Sequence, residues 1–198
     1  MPLNALDSQY YISTLERHEQ GDILRDIQFI EWAKIDKDGE LTIAERNLQY
    51  CVLLSQDCDL EHDYGNRQDS NIDTKDKYLQ SLLLCPAYPA QSFRTGEHLK
   101  EFEMKMKPIN SDQWRRLIQY NDARYHYLES NADLQVPDLV IDFKHYLTIA
   151  RDIIYESDSY VATIEIVYRD HLSARFAQYL SRIGLPDRKP KSSSVAKS

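Results

Sequence analysis

The chain has 198 residues, 42% of them hydrophobic and 28% charged, with a formal net charge of −8. That balance allows one folded domain with a real core and excludes a collagen-like, disulfide-stapled or wholly disordered chain. The acidic excess repels nucleic acid unless a local basic surface overrides it, and no run approaches the roughly 18 apolar residues of a membrane helix.

Taken in chain order, residues 7–18 (DSQYYISTLERH) predict a short helix, with Asp7 as cap and Tyr11, Ile12 and Leu15 on one side. Gly21-Asp22 ends it and opens a strand at Ile27 to Ile35. Asp36-Lys37-Asp38-Gly39 is a turn signal, with Glu40 to Ile43 returning antiparallel. Tyr50 to Gln56 is the next strand. Residues 57–76 hold seven acids against Arg67 and Lys75 and read as a polar loop. Tyr78 to Cys85 is the strand expected to pair with Val52 to Ser55, stopped by Pro86 and Pro89. Helices are predicted at Ser92 to Phe102 and Ser111 to Tyr120, and strands at Tyr125 to Leu128, Leu139 to Ile149 and Tyr160 to Ile164. Leu172, Phe176, Tyr179, Leu180 and Ile183 recur at helical spacing, so Arg169 to Ile183 closes the fold as a helix. The Ser/Lys-rich residues 186–198 predict a disordered basic tail.

Together these elements predict a mainly β protein with helices, an α+β fold. It is a single barrel domain over 1–185 with a helical insertion at about 90–122. Cys51, Cys58 and Cys85 form no CxxC pair and are odd in number, which points to a reduced compartment. The opening MPLNALDSQYY lacks the basic start and apolar core of a secretory signal. A cytoplasmic protein is the expectation.

The chemistry concentrates at Cys51 to Asp63 (CVLLSQDCDLEHD), where an apolar run leads into Ser55, Gln56, Asp57, Cys58, Asp59, Glu61 and His62. Scaffolds present chemistry on such strand-to-loop junctions. Asp57, Asp59 and His62 offer carboxylate and imidazole ligands to a divalent metal, with His126, Asp142 or His145 as partners from later strands. Equally, Asp57 and Asp59 can accept backbone N–H bonds and hold a turn. Cys58 lies among acids, which raise a thiol pKa, so it reads as a structural cysteine rather than a nucleophile. Strand alternation puts Arg124 and His126 on one face and Tyr125 and Tyr127 on the other. His126 could serve as general acid or base and Arg124 could hold a phosphate; a half-buried, hydrogen-bonded histidine is the plainer reading. Asp142, Lys144 and Tyr146 likewise share a predicted face. Lys100, Lys105, Lys107, Arg115 and Arg116 beside Trp114 form a basic patch, interrupted by Glu101, Glu103 and Asp112.

Gly21-Asp22-Ile23, Cys51-Val52-Leu53-Leu54-Ser55 and Leu82-Leu83-Leu84-Cys85-Pro86 resemble the first three strands of the MazF/PemK-type toxins. Val140-Ile141-Asp142-Phe143 through Thr148 and Arg182-Ile183-Gly184 are similar to that family's closing segment. The resemblance implies a small SH3-like β-barrel in a bacterial stress, toxin–antitoxin or defence system. The family's ribonucleases place an Arg-Pro pair before the second strand and a Thr or Ser after the third. Here Arg46 is followed by Asn47, and Pro86-Ala87-Tyr88 follows the third strand. The resemblance therefore implies a module that recognises a protein or nucleic-acid partner through the 55–63 segment, without the family's catalysis. The alternative is a diverged endoribonuclease using Arg46, Arg124 and His126, or a metal-dependent phosphodiester hydrolase using Asp57, Asp59 and His62. An exposed barrel edge could also pair two copies as a homodimer.

Overall fold

The structure is a computed structural model that describes residues 8–71 and 74–182. Among the described residues, eight antiparallel strands form one curled, half-barrel sheet, accompanied by five α-helices. The strands are β1 (Tyr10–Tyr11), β2 (Asp22–Ile35), β3 (Leu41–Leu53), β4 (Ser81–Pro89), β5 (Tyr125–Leu128), β6 (Leu139–Asp142), β7 (Leu147–Ala150) and β8 (Tyr160–Ile164). The helices are α1 (Asp57–Gln68), α2 (Ala90–Thr95), α3 (Ser111–Ile118), α4 (Arg151–Tyr155) and α5 (Ile166–Leu180). The sheet order is β1-β8-β2-β3-β4-β6-β5, with β7 also paired to β4.

Adjacent residues of the central strands point to opposite faces, and both faces are covered. Ile23, Val52 and Cys85 enter one core with Ile141, Leu172 and Phe176, beneath α5. Their chain neighbours Leu24, Cys51, Leu53 and Leu84 enter a second core with Leu60 of α1 and Ile154 of α4. Burial on both faces explains why Val52-Leu53-Leu54 and Leu82-Leu83-Leu84-Cys85 are continuous apolar runs rather than alternating ones. A third core joins Tyr88, Phe93, Leu99, Leu117 and Val140 where the helical segment meets the sheet. Gly96, at φ 79°, ends α2, and a Cβ there would stand 2.1 Å from the Met106 carbonyl oxygen. Only glycine meets both demands.

The turn at Asp36–Gly39 and the pairing of Val52 with Cys85 stand as the sequence predicts. Several expectations are corrected. Residues 8–18 form no helix; Tyr10–Tyr11 pairs with β8 as a short strand, because Tyr10 buries itself in the first core. Glu40 to Ile43 and Tyr50 to Gln56 are not separate strands: β3 runs unbroken from Leu41 to Leu53, paired along most of its length with β2 across one bulge between Ile30 and Trp32. The polar stretch after Gln56 is helix α1 rather than a loop. The predicted helix at Ser92 to Phe102 divides into α2 and a 3-10 turn at Glu97–Phe102, since the left-handed Gly96 breaks it. Leu139 to Ile149 follows β4 as β6 and then β7, interrupted by a 3-10 turn at Phe143–His145. That turn abolishes the shared face predicted for Asp142, Lys144 and Tyr146: Asp142 is buried and Tyr146 is exposed. The expected tail at 186–198 lies outside the described residues. Among the described residues no helix is long and apolar enough to cross a membrane.

Candidate functional site

The Cys51–Asp63 stretch is held together by polar bonds to distant chain segments. Ser55 Oγ accepts the Leu83 amide at 2.8 Å, extending the β3–β4 pairing by one rung. Gln56 precedes α1, and its carbonyl accepts the amides of Asp59 and Leu60. Asp57 receives both guanidinium nitrogens of Arg17 at 3.0 and 3.1 Å and the Gln20 amide at 3.2 Å, while Arg169 of α5 stands 3.9 Å away. Burial works against the Asp57 carboxylate, but the Arg17 bonds, the Gln20 amide and Arg169 outweigh it and hold its pKa below the usual value. Asp63 is fully buried, with Arg67 at 2.8 Å, Arg151 at 2.6 Å and the Leu79 amide at 2.8 Å satisfying both oxygens. Cys58, Asp59, Glu61 and His62 lie exposed along α1.

Asp57, Asp59 and His62 are therefore not brought to one point. Asp57 turns toward Arg17, whereas Asp59 and His62 face outward from the helix. Among the described residues, no group of three or more His, Cys, Asp and Glu side chains is arranged to hold a metal ion.

Arg46, Arg124 and His126 occupy three different surroundings. Arg46 pairs with Glu31 at 2.7 Å and lies over the Phe102 ring at 4.4 Å. Arg124 grips the buried Asp142 through two bonds of 2.7 and 2.5 Å, which raise the guanidinium pKa. His126 is 1% exposed, packed near Tyr120, Phe143 and His171, and its Nδ1 has no hydrogen-bond partner. Burial, with Arg175 and His171 nearby, pushes its pKa down to about 3, so the ring is neutral. The tyrosines flanking it do face the other way, into the third core.

An open site exists elsewhere, where two strands part. The β3–β4 ladder ends at Cys51 and Pro86. Beyond it, Asn47–Tyr50 and Pro86–Pro89 line opposite sides of a cleft of about 320 Å³, with His98, Lys100 and Phe102 along it. The β4-facing edge of Asn47–Tyr50 has no strand partner among the described residues. Phe102 also borders a neighbouring cleft of about 360 Å³ lined by Phe29, Leu48, His145 and Thr148. His145 Nδ1 is 2.9 Å from the Tyr88 hydroxyl and 3.5 Å from Asp142, and burial lowers its pKa against the pull of that carboxylate. His98 is 8% exposed, packed between the Tyr88 and Phe93 rings beside the Ser92 backbone. Burial depresses its pKa to about 4, leaving it neutral.

Around Phe102, Arg46 of β3, His145 and the turn that carries His98 and Lys100 meet from three separated stretches of chain. Sequence reasoning singled out Arg46, Lys100 and His145 but not their meeting. His98 carried no signal at all, because a divergence between paired strands leaves no mark in either strand's own pattern. Glu31 and Glu97 neutralise Arg46 and Lys100 within the site, so the cleft is aromatic and mixed in charge rather than basic.

The fold and site define an α+β protein whose helix-covered antiparallel sheet opens into a cleft between β3 and β4. Compared with known proteins, the chain matches no family model, no curated sequence and no solved structure.

Proposed function

We propose that this protein is a recognition module that holds an extended segment of a partner protein in the cleft between β3 and β4. One observation carries the reading: the ladder stops at Cys51–Pro86 and leaves the Asn47–Tyr50 edge open over an aromatic floor. An unpaired strand edge offers a row of N–H and C=O groups to an incoming strand, and adjacent pockets select its side chains. The neutralised arginine and lysine favour a peptide over a nucleic-acid strand, for which aromatic stacking needs an uncompensated basic groove. The resemblance of Cys51–Ser55 and Leu82–Pro86 to MazF/PemK-type strands supports an SH3-like barrel in a bacterial stress or defence system. The absence of an Arg-Pro pair at Arg46-Asn47 supports binding without ribonuclease catalysis.

Selection of a displayed random-peptide library on the purified protein tests this. Enriched peptides are expected to bind the wild type and to lose at least about tenfold in affinity with Phe102→Ala, the loss typical of an interface anchor. Short single-stranded RNA and DNA are expected not to bind. Peptides indifferent to Phe102→Ala, or tight oligonucleotide binding that this substitution weakens, would overturn the reading.

A further inference from the structure

The outer half of the β2–β3 ribbon is an arm that leaves the body. β8 holds β2 only at Asp22–Leu24, and β4 holds β3 only at Cys51–Leu53. From Ile30 to Ile43 every residue is exposed. The register pairs Ile30 with Glu45, Ala33 with Ile43 and Ile35 with Leu41, after a one-residue bulge at Glu31. Directly opposed residues share a face, and alternate residues of a strand share a face. Ile30, Ala33, Ile35, Leu41 and Ile43 therefore form one apolar stripe. It lies on the side away from buried Leu48 and half-buried Ala44 and Arg46, whose positions along β3 alternate with it. Ile35 is 69% and Leu41 59% exposed. An isolated two-stranded ribbon is marginal in water, and a contiguous exposed apolar stripe marks a docking surface.

Charge decides what fits it. From Ile30 to Arg46 the arm carries Glu31, Asp36, Asp38, Glu40 and Glu45 against Lys34, Lys37 and Arg46, and Arg46 is bound to Glu31, which leaves four acids to two bases around the stripe. Glu45 stands on the stripe's own face at its root, and Asp36, Asp38 and Glu40 ring its tip. A second copy would stack acid on acid at both ends, within a chain already at −8. We infer that the stripe docks an amphipathic segment of a different protein, apolar along its middle and flanked by Lys or Arg. This partner surface is separate from the β3–β4 cleft and stands whether or not that cleft binds a peptide.

The test uses the full chain and a displayed library of apolar 12-residue peptides with randomised charged ends, run beside sedimentation of the protein alone. Lys- or Arg-ended peptides are expected to be enriched. They should bind at least about tenfold more weakly to an Ile35→Lys/Leu41→Lys variant and equally well to Phe102→Ala. Glu40→Lys/Glu45→Lys should reverse the preference toward Glu-ended peptides. Ile35, Glu40, Leu41 and Glu45 lie outside all three cores, and circular dichroism checks that each variant, Phe102→Ala included, is folded. No charge preference, binding unchanged in the Ile35/Leu41 variant, or self-association abolished by that variant would each overturn the inference.

Discussion

The two halves of β3 share one strand, one partner strand and a similar supply of apolar residues, yet they differ in every physical respect. Cys51–Leu53 is paired on both edges and fully buried, with successive side chains entering opposite cores. Leu41–Ala44 is paired on one edge only, and Leu41 and Ile43 stand in solvent. The difference lies in what arrives from elsewhere: β4 and β8 end, and α1, α4 and α5 cover the inner half alone. The inner half is scaffold, whereas the outer half is exposed and the fork between β3 and β4 is open.

The largest break in that contrast comes from the anchor of the inner half. Asp63→Ala strands Arg151 and Arg67 beside the second core and leaves the Leu79 amide unpaired. It is expected to cost about 3–5 kcal/mol in urea unfolding, as loss of one partner of a buried ion pair does. Leu53→Ala, a cavity at a fully buried site, is expected to cost roughly 2–5 kcal/mol.

The next effect is pH-dependent. His126 has a folded pKa of about 3, well below the value near 6.5 of an unfolded histidine, so the unfolded chain binds its proton first. Its contribution is whole above pH of about 6.5 and is lost as pH falls toward about 3, at no more than about 1.4 kcal/mol per pH unit. Asp57, held below the usual carboxylate value, adds stability above that value which is lost in the same direction. Thermal melts of His126→Phe across that window should show a flatter acid limb than the wild type. An unchanged limb would mean that His126 is reached by solvent.

The smallest effect sharpens the comparison. Ile43→Ala, on the arm, is expected to change stability by under about 0.5 kcal/mol, as surface substitutions do. If it matched Leu53→Ala in chemical unfolding, the arm would be packed rather than exposed.

What was legible in the chain follows the range of the forces involved. The Asp36–Gly39 turn, the buried runs at Val52–Leu54 and Leu82–Cys85, strands at Tyr125–Leu128 and Tyr160–Ile164 and most of the closing helix are written in local pattern. Helix α1 was not, because only Leu60 and Asp63 are buried along its length and the buried acid reads as polar surface. Its warrant, Arg151, lies 88 residues away. Likewise, the pairing of Arg17 with Asp57 and of Arg124 with Asp142 turned residues that offered ligands, acids and phosphate contacts into internal ties. Lys100 lines a cleft that exists only where β3 and β4 diverge, and Arg46 meets it over the Phe102 ring.

The sequence by itself determined the class of fold, since apolar runs, turn residues and helical spacing act between near neighbours. Tertiary structure alone decided which charges are spent inside the molecule and which edges and faces remain open. Those outcomes depend on where strand ladders stop and which distant side chain arrives to cover or pair a group, and no local window contains that information.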